Sequence, residues 1–183
     1  MALPLDKSLK IGVQTIHREP DDQSGLWLPT IDELVEFVQF VDKSGFDSLW
    51  VGDHLSMPLP FFDPFQQLAQ AAVASRRLLL GTGVYLLPLR HPGPVAKQVA
   101  TLDHLSEGRL LFGVGIGGEF PKEYEVAGIP IKERGARLTE SIEVMRALWK
   151  GDSVSYKGKF FKFSEVLMTP PPRQKGGPPI WCG

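Results

Sequence analysis

Apolar positions follow two rhythms along the chain, a tight alternation and a three-to-four spacing, and the two take turns. Residues 10–16 place Ile11, Val13 and polar neighbours in alternation, which predicts a first strand. A loop rich in Pro, Asp and Gly follows over 19–29. Thr30-Ile31-Asp32-Glu33 then has the form of a capping box, in which the Thr30 hydroxyl accepts from the third helical amide while Glu33 reaches back. Behind it Ile31, Leu34, Val35, Val38 and Val41 share one helical face, and Gly45 stands where a C-terminal cap belongs. A second strand is predicted over 46–52. A second helix opens at Asp63-Pro64, where proline is tolerated, and runs to about residue 75.

The rhythm repeats. Strand three is predicted over 78–84, a third helix over 95–105 and strand four over 109–115. A glycine-rich, irregular connection leads to a helix over 133–150, with Leu138, Ile142, Met145 and Trp149 on one face. Residues 153–163 read as a small hairpin around Lys157-Gly158, residues 169–179 as a stiff Pro/Gly linker, and residues 180–182 as the start of a fifth strand. Strand starts near residues 10, 46, 78 and 109 leave room for a helix in each crossover, the mark of a parallel sheet covered by helices. An open doubly wound sheet and a (β/α)8 barrel both satisfy this. In either, chemistry gathers beyond the carboxyl ends of the strands. That directs attention to His17, Asp53-His54, Gly83-Val84 and residues 115–119.

Composition narrows the function classes. With 20 Lys+Arg against 21 Asp+Glu, the 183 residues carry a formal net charge of −1, which argues against a nucleic-acid partner. The 43% hydrophobic content predicts a packed soluble domain, and the 19 Gly and 16 Pro predict many loops. Glycines and a proline interrupt the most apolar stretch, 78–89, so no membrane span is expected. One cysteine, Cys182, permits no intrachain disulfide and suits a reducing, cytoplasmic setting.

The strand ends carry the candidate chemistry. A carboxylate beside an imidazole, Asp53-His54, fits one group orienting a cofactor while the other exchanges a proton near neutrality. A capping Asp with a satisfied His beside it fits equally well. A metal would need His17, Asp53, His54, His91 and Glu119 to converge, without any H-x-H or H-E-x-x-H spacing, so no metal site is expected. Residues 113–118 match G-x-G-x-x-G and raise a Rossmann-like NAD site as an alternative. However, Glu119-Phe120-Pro121 stands where the fingerprint should open into a helix. Gly81 and Gly83 mark a bulge, a close ligand approach or tight packing of a helix on the strand. His91 reads as a loop residue before a helix, and residues 132–137 as a solvated helix start. Trp50, Trp149, Phe160, Phe161 and Phe163 read as core.

Several of these segments together resemble the bacterial luciferase-like flavin-dependent oxidoreductases. The resemblance is carried by residues 46–54 ending in Gly52-Asp53-His54, by residues 80–84, and by His91-Pro92 with Ala96-Lys97-Gln98. Leu102-Asp103, residues 105–109, Gly113-Val114-Gly115, Glu133-Arg134-Gly135 and Pro179-Ile180-Trp181 extend it across nearly the whole chain. It implies a (β/α)8 TIM-type barrel, of which the chain supplies about the first half: four βα units and the start of strand five. It also implies a flavin at the strand C-termini. Gly-Asp-His at the end of strand two resembles the branch that uses the deazaflavin coenzyme F-420, with FMN as the second cofactor, and hydride transfer to or from a small organic substrate.

By that resemblance Asp53 would bond the ring system, and His54 would face the substrate as proton donor or acceptor. Gly83-Val84 would form a non-prolyl cis peptide behind the ring, and the glycine run, Gly115 and Gly117 included, lets the backbone pass close to a flat ligand or a neighbouring loop. Glu119 would match an acidic catalytic position and His17 would lie on the substrate side. The alignment at Glu119 needs a one-residue gap, and Leu86 replaces a hydroxyl residue that sugar-phosphate-oxidising relatives use on the cofactor. A full barrel typically takes about 250 residues. The expectation for 183 is therefore a truncated product, a homodimer or other oligomer covering the open edges, or a non-catalytic half-barrel.

Overall fold

The computed structural model describes residues 9–15 and 28–183. Five parallel strands form one sheet: β1 (Gly12–Gln14), β2 (Ser48–Val51), β3 (Leu79–Thr82), β4 (Leu110–Val114) and β7 (Ile180–Cys182), in that spatial order. Between them run α1 (Ile31–Lys43), α2 (Pro64–Ala74), α3 (Pro92–Leu105), the short α4 (Pro121–Val126) and α5 (Arg134–Leu148). β5 (Val154–Lys157) and β6 (Lys162–Val166) pair separately as an antiparallel hairpin. The strands thus neighbour one another in chain order, as in a partial barrel.

The start signals read from the sequence form as expected. Glu33 N donates to Thr30 Oγ1 at 3.3 Å while Thr30 N donates to Glu33 Oε2 at 2.7 Å, closing the capping box. Asp63 caps α2, with Pro64 as its first residue. Strand ends trim by one or two residues, and three features depart further from the sequence reading. α3 begins at Pro92, three residues early, because His91 Nδ1 accepts from Gly93 N at 3.1 Å and caps the helix. The hairpin's strands sit further along the chain, because the buried Glu140 carboxylate accepts from the amides of Lys159, Phe160 and Phe161 and widens the turn. The connection after β4 contains α4, too short at six residues to show a helical period.

The helices cover one face of the sheet. Leu49, Val51, Leu80, Leu110, Phe112 and Val114 alternate toward that face and pack with Val38 and Val41 of α1, Leu68 of α2, Val99 of α3 and Met145 of α5. Trp149 belongs to this core, its indole N–H bonded to Ala96 O at 3.1 Å. The linker over 169–179 is a strap bound to α3: Asp103, fully buried, accepts from Gln174 N and Nε2 at 2.7 Å each. It delivers Pro179, whose carbonyl accepts from Phe112 N at 2.9 Å and sets β7 beside β4.

The other face is lined differently, and here Trp50 departs from the core assignment. In the registers Gln14↔Trp50 and Trp50↔Gly81, its indole lies flat over glycines on both flanking strands. A Cβ built at Gly12 or Gly81 would overlap that ring. Trp181 of β7 follows at 5.5 Å between ring centroids. Gly81 therefore makes room for a side chain of the same sheet, which none of the sequence alternatives specified.

One irregularity shapes the functional edge. β3 and β4 pair at Gly81↔Leu111, and the next bridge is Tyr85↔Val114, so β3 spends one residue more than β4 over this interval. Such a bulge leaves the extra residue out of the ladder. The peptide between Gly83 and Val84 is cis, as the family resemblance implied. Gly113 faces the bulge, and any Cβ there would overlap the Thr82 carbonyl oxygen. That obstacle is backbone and cannot rotate away. Gly113→Ala is therefore expected to destabilise the chain by about 3 kcal/mol, the upper end for overpacking, as read from urea unfolding. Gly45→Ala gives the comparison at a site with positive φ and open space.

Candidate functional site

The carboxyl ends of β2, β3 and β4 meet at one edge of the sheet, where parallel α/β folds place their chemistry. Asp53 follows β2 and is buried. Its Oδ2 accepts from Leu86 N at 2.8 Å and from Arg90 Nη1, and its Oδ1 accepts from Arg90 Nη2 at 2.9 Å. The Asp53 side chain is 1% exposed and that of Arg90 22%. Burial disfavours the Arg90 charge, but the bonds and charge of Asp53 outweigh it and raise the guanidinium pKa. Arg90 also lies 4.5 Å over the Tyr85 ring, which itself stacks on Phe65. Asp53 thus clamps the loop after β3 to the end of β2, and both its oxygens are engaged by protein donors.

His54 turns the other way. Its ring stands edge-on between Phe61 at 4.8 Å and Phe120 at 5.4 Å. Nδ1 lies 3.2 Å from Oε1 of Glu123 on α4. The same Oε1 accepts from Leu55 N at 2.7 Å and Ser56 N at 3.2 Å, and the Glu123 side chain is fully buried. Beside it, Met57, Pro58, Phe120 and Pro121 line an open groove of about 360 Å³, with Glu119 and Lys122 also on its wall.

The remaining predicted residues divide. Gly83 N donates to Val51 O at 2.7 Å, and Gly83 O accepts from Gln14 Nε2 at 3.2 Å. Among the described residues a Cβ at Gly83 would meet only Trp50, at 3.7 Å, so the backbone there is bare. Gly115 is required by Val84, whose side chain occupies the space of a Cβ, and Gly117 adopts φ +57° against Leu86. The glycines over 113–118 therefore accommodate neighbouring strands and loops, and the helix that follows, α4, starts only at Pro121. Glu119 is exposed on the groove wall, and the carboxylate that reaches His54 is Glu123. His91 is exposed and engaged as the α3 cap. His17 lies outside the described residues. Among the described residues no three His, Cys, Asp or Glu side chains are grouped to hold a metal ion.

Two members of the site escaped the sequence reading. Arg90 is the first charged residue after the apolar run over 78–89, and a charge ending such a run calls for a buried acid. Glu123 sits in the first turn behind a helix-starting proline, but that helix was itself invisible to periodicity.

The family model for luciferase-like monooxygenase matches residues 9–183. The chain is 36% identical over 152 residues to the oxygenase component of a flavin-dependent trigonelline monooxygenase from Acinetobacter baylyi, covering 82% of this chain and 42% of that protein. It is 37% identical over 153 residues to an F-420-dependent glucose-6-phosphate dehydrogenase from Amycolatopsis mediterranei, covering 78% and 45%. Among solved structures, monooxygenase RslO1 from Streptomyces bottropensis superposes with a TM-score of 0.83 at 29% identity, over 95% of this chain and 53% of that one. The chain thus spans about half the length of these relatives. A Rossmann-like NAD protein, the alternative raised by the glycine run, is overturned by this match and by the location of the glycines. With its partial parallel barrel and its match over residues 9–183, the chain belongs to the luciferase-like monooxygenase family.

Proposed function

We propose that this chain forms the ring-facing half of an oxidoreductase that passes hydride between a deazaflavin of the F-420 type and a small organic substrate. The observation that carries the reading is His54: an imidazole at the carboxyl edge of β2, tied through Nδ1 to a buried carboxylate and packed on Phe120, which lines an apolar groove. An imidazole so held can take up or give one proton. The F-420-dependent relative at 37% identity supports the choice of ring. FMN-dependent mono-oxygenation is the second reading, favoured by the flavin-dependent relative at 36% identity.

The residues present fit a flat ring. Bare backbone at Gly83 offers a surface without a side chain, and Gly115 lets Val84 pack behind it. Leu86 and Arg90, both held by Asp53, would border the ring, so Asp53 acts by fixing its neighbours. When bound, a deazaflavin exchanges a hydride and does not readily activate oxygen, whereas a flavin can do both. In barrels of this type phosphate contacts commonly come from the loops after strands seven and eight, beyond the five parallel strands described.

The substrate side is apolar, formed by Met57, Pro58, Phe120 and Pro121, and Glu119 could bond a polar substituent there. His17 remains a candidate for the same side. No helix among the described residues is long and apolar enough to cross a membrane, and a cytoplasmic setting goes with the proposal. So does an assembly in which further strands or a second copy cover Trp50 and Trp181.

Two outcomes test this reading. Fluorescence titration of the 183-residue chain should show saturable binding of F-420 or FMN and none of NADH. His54→Ala should keep that binding within a few-fold while turnover falls by about 10²–10⁴-fold. A chain that binds neither ring, or a His54→Ala variant as fast as the parent, would sink the assignment. Separately, Asp53→Asn leaves Arg90 without its charge partner and should cost about 3 kcal/mol in urea unfolding. That value sits low in the range for a broken buried pair because Asn can still accept from Leu86.

A further inference from the structure

Glu123 offers one oxygen, Oε1, to three neighbours: Leu55 N at 2.7 Å, Ser56 N at 3.2 Å and His54 Nδ1 at 3.2 Å. Backbone N–H groups can only donate, so Oε1 is an acceptor whatever the charge of Glu123. A proton on the carboxyl would sit on Oε2, which is buried and without a hydrogen-bond partner among the described residues. His54 can then approach Oε1 favourably only with hydrogen on Nδ1. Phe61 and Phe120 both contact the ring in T-shaped geometry.

We propose that Glu123 is the positioning residue of this site: it locks His54 in the Nδ1–H tautomer and leaves Nε2 as the atom that exchanges a proton with the substrate. The inference rests on the reading of His54 given above. For a substrate alcohol, Nε2 takes the O–H proton as the carbonyl forms, and the C–H electron pair would leave as hydride; a deazaflavin or flavin held at this edge would supply the two-electron acceptor. The imidazolium, with both nitrogens protonated, keeps its bond to Glu123 throughout, so no rearrangement accompanies the proton's arrival. Carbonyl reduction runs the same step backward.

Glu123 also anchors the 55–56 amides beside the groove, so the test has to separate positioning from simple support. Long-range proton–nitrogen correlation spectra of the ¹⁵N-labelled chain read the tautomer directly, with the His54 signals identified by their loss in His54→Gln. The expected result is a protonated Nδ1 and a bare Nε2 once the ring is neutral. Glu123→Gln keeps an acceptor oxygen and should keep that tautomer. Glu123→Leu removes it and should shift His54 toward the Nε2–H form, with kcat falling about 10²-fold and KM changing little.

A parent chain with Nε2–H overturns the proposal, and so does a Glu123→Leu variant that melts earlier yet keeps the Nδ1–H form. If the leucine variant does not fold, the parent and Glu123→Gln spectra decide it. The tautomer is read without any cofactor, so a correct tautomer combined with unchanged turnover in His54→Ala would refute the assignment of function and leave the positioning intact.

Discussion

A buried carboxylate has to find donors, and at the carboxyl edge of this sheet two of them draw three loops together. Asp53 takes the Leu86 amide and the Arg90 guanidinium, which binds the chain after β3 to the end of β2. Glu123 takes the Leu55 and Ser56 amides and the His54 ring, which binds α4 after β4 to the loop after β2. Leaving either charge unpaired away from water would cost several kcal/mol. Convergence at this edge is therefore enforced by desolvation as much as by topology. The two acids divide the labour: one fixes the wall, the other the imidazole.

The two faces of the sheet obey different rules. Toward the helices, alternating Leu, Val and Phe side chains bury apolar area, the main drive for folding. Toward the opposite face, a broad indole spans β1, β2 and β3 because glycines on the flanking strands leave the room. Close packing makes these positions interdependent, since Trp50 would be displaced by a methyl group on either neighbour. The bulge after β3 applies the same logic to backbone. Gly113 makes way for the Thr82 carbonyl and Gly115 for Val84, and together they let the chain turn toward Asp53.

Much of this is legible in the sequence. The capping box at Thr30 and the Asp63-Pro64 helix start are local, each settled by hydrogen bonds within four residues, and both form. Strand ends placed Asp53 and His54 at the working edge because a parallel βα repeat admits few arrangements. Trp50 was read as core because an aromatic residue in a strand has no mark saying which face it joins. The family resemblance points to Glu119, and nothing local marks Glu123, because burial of that acid depends on donors supplied by a loop some seventy residues earlier.

The sequence by itself determined the alternation of strands and helices, a parallel sheet, the edge where chemistry belongs and the family. These follow from periodicity, local capping and motifs read in register along the chain. Only the tertiary structure decided which carboxylate meets His54, what Asp53 holds and which glycines accommodate side chains and which backbone. Each of those is a contact between residues far apart in the chain, made because a buried charge or a close-packed ring accepts one set of neighbours and excludes the rest.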